Sequence, residues 1–166
     1  MGCDSLDDGR GCVVADLNND GRLDLIISNN NSRPTIYLNN QPQVGNWLRV
    51  DMHGAVRGSS RDPLGTRVDV LVKYNGESRT ITRWVEAGAG YASQSEYTLH
   101  FGLGMARSVE SLTVTWPGRS PRRFTKDELG SVTNGTVSVG GPDIMLRKKH
   151  VAAITSTQAR AREISR

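Results

Sequence analysis

Asp16-Leu17-Asn18-Asn19-Asp20-Gly21-Arg22-Leu23-Asp24 is the stretch on which the reading of this chain turns. Oxygen-bearing side chains fall at positions 1, 3, 5 and 9 of this run, with glycine at position 6. Alternate residues of a tightly curled loop can converge on one point, and Gly21 permits the bend. A hard dication such as Ca²⁺ takes six to eight oxygens at roughly 2.3–2.6 Å. Asp16, Asn18, Asp20 and Asp24 are therefore the candidate side-chain ligands. Arg22 would offer its backbone carbonyl, with its own side chain in solvent. A polar Asn/Asp/Gly hairpin without an ion is the alternative. An EF-hand is the rival metal site, but it needs a bidentate glutamate at position 12, where this chain has Ile27. The flanks Cys12-Val13-Val14-Ala15 and Leu25-Ile26-Ile27-Ser28 are short β-rich runs without helical period. The loop thus joins two strands, and the chain reads as all-β.

Beyond this hairpin, turns and strands alternate. A first strand over about 12–15, a second over 24–28 and a third over 35–38 make most of one three-stranded unit. Its faces need neighbours, because so small a sheet is a poor independent fold. Gln41-Pro42-Gln43-Val44-Gly45 reads as a linker. Seven β-like runs follow, at about 47–53, 66–73, 79–86, 97–101, 110–116, 122–124 and 136–139. Their spacing predicts a compact antiparallel sandwich over 46–141. Asn75-Gly76 carries the signal of a type I′ hairpin turn. Lys126-Asp127-Glu128-Leu129 reads as one short helical turn.

Charge separates the folded part from the end of the chain. Residues 144–166 hold six Lys/Arg (Arg147, Lys148, Lys149, Arg160, Arg162, Arg166) against Glu163, a charge of +5 within a total of +4. The rest has 15 basic against 16 acidic residues, so no general nucleic-acid-binding face is supported. Residues 142–166 read as a basic tail, disordered or a frayed helix. Aromatic content of 5% and 18 glycines suit a turn-rich β protein. Cys3 and Cys12 do not make a disulfide framework, and unpaired thiols are expected. No apolar run is long enough to span a membrane, and the first residues carry no secretory signal.

The run from Gly9 to Asn30, G-R-G-C-V-V-A-D-L-N-N-D-G-R-L-D-L-I-I-S-N-N, resembles the calcium-loop repeat of FG-GAP/VCBS β-propellers. The stretches N-W-L-R-V-D-M-H-G (46–54), S-S-R-D-P-L-G-T-R-V (59–68), A-G-A-G-Y-A-S-Q-S-E (87–96), L-H-F-G-L-G (99–104) and V-T-W-P-G (114–118) are similar to the ASPIC/UnbV domain that closes such propellers. Together the resemblance covers residues 9–140. It implies a partial propeller blade over 1–40 and a seven-stranded, transthyretin-like β-sandwich. It also implies an extracellular or cell-envelope adhesion protein whose partners are further propeller blades, another protein, or a glycan or matrix surface. With one copy of the loop in the chain, the sequence is read as a fragment of a longer protein.

Sites of chemistry are scarce. Arg61-Asp62 before Leu64-Gly65 matches the family pattern, although Pro63 departs from it, and reads as an Asx turn with a local ion pair. The run Gly88-Ala89-Gly90-Tyr91-Ala92-Ser93-Gln94-Ser95 has strands on both sides, so a wide turn is preferred over a phosphate cradle, which must open a helix. His100 lies in an apolar strand and reads as a hydrogen-bonded structural histidine. Trp47, Trp84 and Trp116 could stack on a sugar ring, but strand positions favour packing. No nucleophile–base motif appears, and no enzymatic activity is predicted. The expected function is a non-catalytic, calcium-binding structural or adhesion module. The rival is an accessory to carbohydrate or polymer processing with a cryptic hydrolase activity, which would need acids paired across a cleft.

Overall fold

The computed structural model describes residues 3, 5–42, 45–53, 63–88 and 90–140, together with the backbone of 147–150. The strands are β1 (Gly9–Ala15), β2 (Asp24–Asn29), β3 (Thr35–Tyr37), β4 (Asn46–Met52), β5 (Arg67–Tyr74), β6 (Glu77–Trp84), β7 (Leu99–Gly104), β8 (Val109–Thr115), β9 (Arg122–Thr125), β10 (Gly135–Val139) and β11 (Arg147–His150). Among the described residues, the one helical turn is α1 (Lys126–Leu129), which falls where the sequence put it, with Thr125 N–H and Oγ1 both donating to the Glu128 carboxylate of a capping box. The protein is all-β, as read. β1-β2-β3 form a small antiparallel sheet, β11-β10-β4-β7 a second and β6-β5-β8-β9 a third.

The two four-stranded sheets share one core. Along β5 the alternation Val68, Val70, Val72 turns inward, and Leu112 and Val114 of β8 and Phe124 of β9 join it from the same sheet. Leu48, Val50, Met52, Leu99, Phe101, Val137 and Val139 meet them from the other. Each fully buried side chain of this kind contributes about 1.5–3 kcal/mol. The turn at Asn75 (φ 50°) and Gly76 (φ 84°) closes the β5–β6 hairpin with both central residues at positive φ, as a type I′ bend requires.

Two features depart from the expected sandwich. An eighth strand is present, because Arg147–His150, assigned to the basic tail, pairs antiparallel with β10. The pairing of β10 with β4 is parallel, so the sheet is mixed rather than purely antiparallel. Residues 142–146 and 151–166, the remainder of that tail, lie outside the described residues, as do residue 141 at the end of the sandwich and Arg61 and Asp62.

β4 is buried on both faces. Its inward side chains are core. Its outward side chains, Trp47 and Arg49, are covered by the Asp16–Asp24 loop, and this seat organises the candidate site.

Candidate functional site

The loop between β1 and β2 is a curl held by its own carboxylates. Asp16 Oδ1 accepts the amide N–H of Asp20 at 3.0 Å, and Oδ2 accepts that of Gly21 at 2.9 Å. Asp20 Oδ1 accepts the N–H of Arg22 at 2.9 Å. Asn18 Oδ1 accepts the N–H of Asp20 at 3.2 Å, while its amide nitrogen donates to Asp20 Oδ2 at 2.7 Å. Asp24 closes the base of the loop, accepting from Leu17 N at 2.9 Å and from Asn39 N at 2.8 Å. Charge-assisted bonds of this kind are among the stronger ones.

The structure therefore brings Asp16, Asn18 and Asp20 together and sets Asp24 beneath them. It corrects the expectation for Arg22. Its guanidinium is not in solvent but pairs with Asp20 Oδ2 and donates through Nε to the Asn39 carbonyl at 2.6 Å. The flexible three-methylene stem of Arg22 lets its guanidinium fold back onto the carboxylate two residues away and onto the Asn39 carbonyl. The all-oxygen donor set has the chemistry a hard dication prefers. Its present arrangement engages those oxygens with N–H groups and with arginine. Among the described residues, no three or more His, Cys, Asp or Glu side chains are gathered as metal ligands would be.

The loop sits on the sandwich through three residues that sequence reading left outside the site. Arg49 Nη1 lies 3.3 Å from Asp16 Oδ2 and donates to Asn19 Oδ1 at 2.8 Å, while Nη2 faces Glu96 Oε2 at 3.5 Å. The Asp16 side chain is 0% exposed and that of Arg49 11%, so this pair is shut away from water. His100 stands opposite Arg49 in the β4–β7 ladder, and its Nε2 meets the Gly21 carbonyl at 2.8 Å. The structural role expected of His100 holds, with the loop as its partner. Trp47 stacks on His100, with ring centroids 6.1 Å apart and planes 16° from parallel. It also presses on Gly21, whose φ is +86°. A Cβ there would lie 2.7 Å from Trp47 Cδ1 and closer still to Nε1 and Cε2. Gly21 is thus required twice, by the turn and by the indole. One signal for this seat was present in the sequence, a charged Arg49 inside the apolar run Trp47-Leu48-Arg49-Val50.

Of the other tryptophans, Trp116 is core and Trp84 is 52% exposed on edge strand β6. Cys3 and Cys12 are free and exposed. The loop 88–95 connects β6 to β7, as expected of a wide turn between strands, with Ala89 outside the described residues. Two glutamates show lowered pKa values, both on the sandwich surface. The Glu128 carboxyl is held below its ordinary value chiefly by the Thr125 backbone N–H, and that of Glu110 chiefly by the Lys126 ammonium.

Comparison with known proteins places residues 56–135 in register with the family model described as ASPIC and UnbV. Cartilage acidic protein 1 of Mus musculus is 35% identical over 129 residues, 75% of this chain and 19% of that protein. The Homo sapiens protein of the same name gives 35% over 129 residues, 75% and 18%. That of Xenopus tropicalis gives 33% over 140 residues, 81% and 20%. The chain spans about a fifth of the length of these relatives. The ASPIC/UnbV part of the sequence resemblance is thereby supported, over the sandwich.

Proposed function

We propose that this chain is a non-catalytic contact module whose aspartate hairpin takes up Ca²⁺ and is held on an ASPIC/UnbV-type sandwich. The observation that carries the proposal is the seating of Asp16, fully buried, on the Arg49 guanidinium with the Gly21 and Asp20 amides at its other lone pairs. A carboxylate so placed is oriented before any ligand arrives; Oδ1, which accepts from Asp20 N alone, keeps a lone pair for the ion, while Oδ2 already holds Gly21 N and Arg49. Asp16, Asn18, Asp20, Asp24 and the Arg22 carbonyl would hold the ion, which would supply positive charge among three carboxylates. Asp20 would exchange the Arg22 guanidinium for the ion. Calcium then tightens the hairpin against the sandwich and sets the geometry of the contact surface.

The small sheet supports a further partner on the hairpin. Val14, Ile36 and Leu38 are exposed there, an apolar load that a covering surface would remove from water. Further propeller blades of an FG-GAP/VCBS type, or another protein, fit that role. The word cartilage in the relatives' name supports an extracellular setting. Among the described residues no helix is long and apolar enough to cross a membrane.

Thermal unfolding with calcium and with chelator tests the proposal. Calcium at about a hundred times its dissociation constant adds about 2.7 kcal/mol of stability, and an unchanged midpoint opposes the reading. A glycan hydrolysis screen tests the non-catalytic part. Turnover that disappears on neutralising a carboxylate outside the loop, such as the exposed Glu86 (Glu86→Gln), replaces it with the hydrolytic alternative.

A further inference from the structure

A groove of about 270 Å³ runs between the hairpin and the sandwich. Val14 and Leu23 form its hairpin side, and Trp84, Glu86, Glu96 and His100 are among the residues on its sandwich side. We infer that this groove is a binding site for a neutral saccharide, with the Trp84 indole as the platform for one pyranose ring. The inference rests on the reading of the chain as a contact module, and not on calcium.

The platform is held in place. Trp84 stands opposite Arg67 in the β5–β6 ladder, and the Arg67 Cζ lies 5.9 Å from the ring centroid. The guanidinium is itself fixed by two hydrogen bonds to Asp69 Oδ1, each 3.0 Å, and Asp69 accepts a third from Thr82 Oγ1 at 2.6 Å. One face of the indole is therefore covered by a braced cation, which orients the ring, and the remainder is free to line the groove. A half-exposed tryptophan held by its neighbours is an apolar surface whose ordering cost is already met.

The groove's polar groups point to hydroxyls rather than to charge. Arg83 and Glu86 both line the groove, and Glu96 is already engaged by Arg49, so the local charges are close to balance. A fully ionised ligand gains little there. A sugar ring presents an apolar C–H face to the indole and hydroxyls, each both donor and acceptor, to its rim. The Glu86 carboxylate can accept from such hydroxyls, the Arg83 N–H groups not taken by the Thr82 carbonyl can donate to them, and Ser95 can do both. Apolar walls with a few convergent polar groups are the usual make-up of a small-molecule site. The volume falls just below the roughly 300–1,000 Å³ of drug-sized pockets, which suits one ring seated with its chain neighbours outside.

Saturation-transfer NMR and indole fluorescence on the full chain test this, with maltotriose, cellotriose and triacetylchitotriose as probes and trilysine and a sulfated disaccharide as charged controls. At least one neutral trisaccharide is expected to bind at about 0.1–10 mM. Trp84→Ala weakens it at least about tenfold, while Trp84→Phe, which keeps an aromatic face, stays within about threefold of wild type. Circular dichroism verifies that both variants fold. No neutral probe bound at about 10 mM overturns the proposal. So does binding that survives Trp84→Ala, an equal loss in Trp84→Phe, or tighter binding of either charged control. None of the proposed calcium ligands lines the groove, so a failed calcium titration leaves this result standing.

Discussion

Replacing Gly21 by alanine tests the seat of the loop directly. Two costs combine at this residue. At φ +86° an L side chain is strained, by about 1–2 kcal/mol. The added methyl also collides with the Trp47 indole, which is buried and stacked on His100 and so has little room to swing aside. Overpacking of this kind costs about 1–3 kcal/mol. Together they amount to about 2–5 kcal/mol, a fall in melting temperature of about 4–20 °C for a chain of this size. Gly76→Ala is the matched control. Its φ of +84° is nearly the same, but nothing lies within 4 Å of the added Cβ. It should show the backbone term alone, about 1–2 kcal/mol. Far-ultraviolet circular dichroism during heating, without calcium, measures both. If Gly21→Ala costs no more than Gly76→Ala, the indole does not press on the loop and the reasoning fails.

Arg49→Met keeps the aliphatic stem and removes the charge from Asp16, Asn19 and Glu96. Breaking a buried pair costs about 3–5 kcal/mol, but Asp16 keeps two backbone N–H donors, so about 2–3 kcal/mol is expected in denaturant unfolding. Glu96→Gln, at the solvated end of the same arginine, should lose less than about 0.5 kcal/mol. Glu128 provides a pH test. Its folded pKa is depressed from 4.5, so its contribution is fully present above that value and is lost as pH falls through the lowered one. Melting temperatures across this range should fall less steeply in Glu128→Gln than in wild type, and equal slopes would discount the capping box.

Seven of the eight sandwich strands were legible because their apolar residues recur at the strand period and their ends carry turn residues. β11 was not. Its backbone pairs with β10, but its composition, Arg147-Lys148-Lys149-His150, is that of a solvated segment. Parallel pairing of β4 with β10 was also out of reach, since it joins Leu48–Met52 to residues more than 80 positions away and leaves no local mark. The loop's oxygens were legible from spacing alone, and the structure draws Asp16, Asn18 and Asp20 into one curl. What holds that curl was not. Arg49, His100 and Trp47 reach it from strands distant in sequence, and only the charge within an apolar run hinted at a buried pair. The side chain of Arg22 was misplaced because position in a loop says nothing about which neighbour a guanidinium finds.

The most direct measurement is a calorimetric calcium titration of the wild-type chain beside Asp20→Ala, both verified as folded. Saturable heat with one ion per chain in the wild type, abolished in the variant, is the predicted result. A folded wild type that takes up no calcium, or an Asp20→Ala chain that binds it equally well, would contradict the account and leave the hairpin as a turn stabilised by its own amides and arginines.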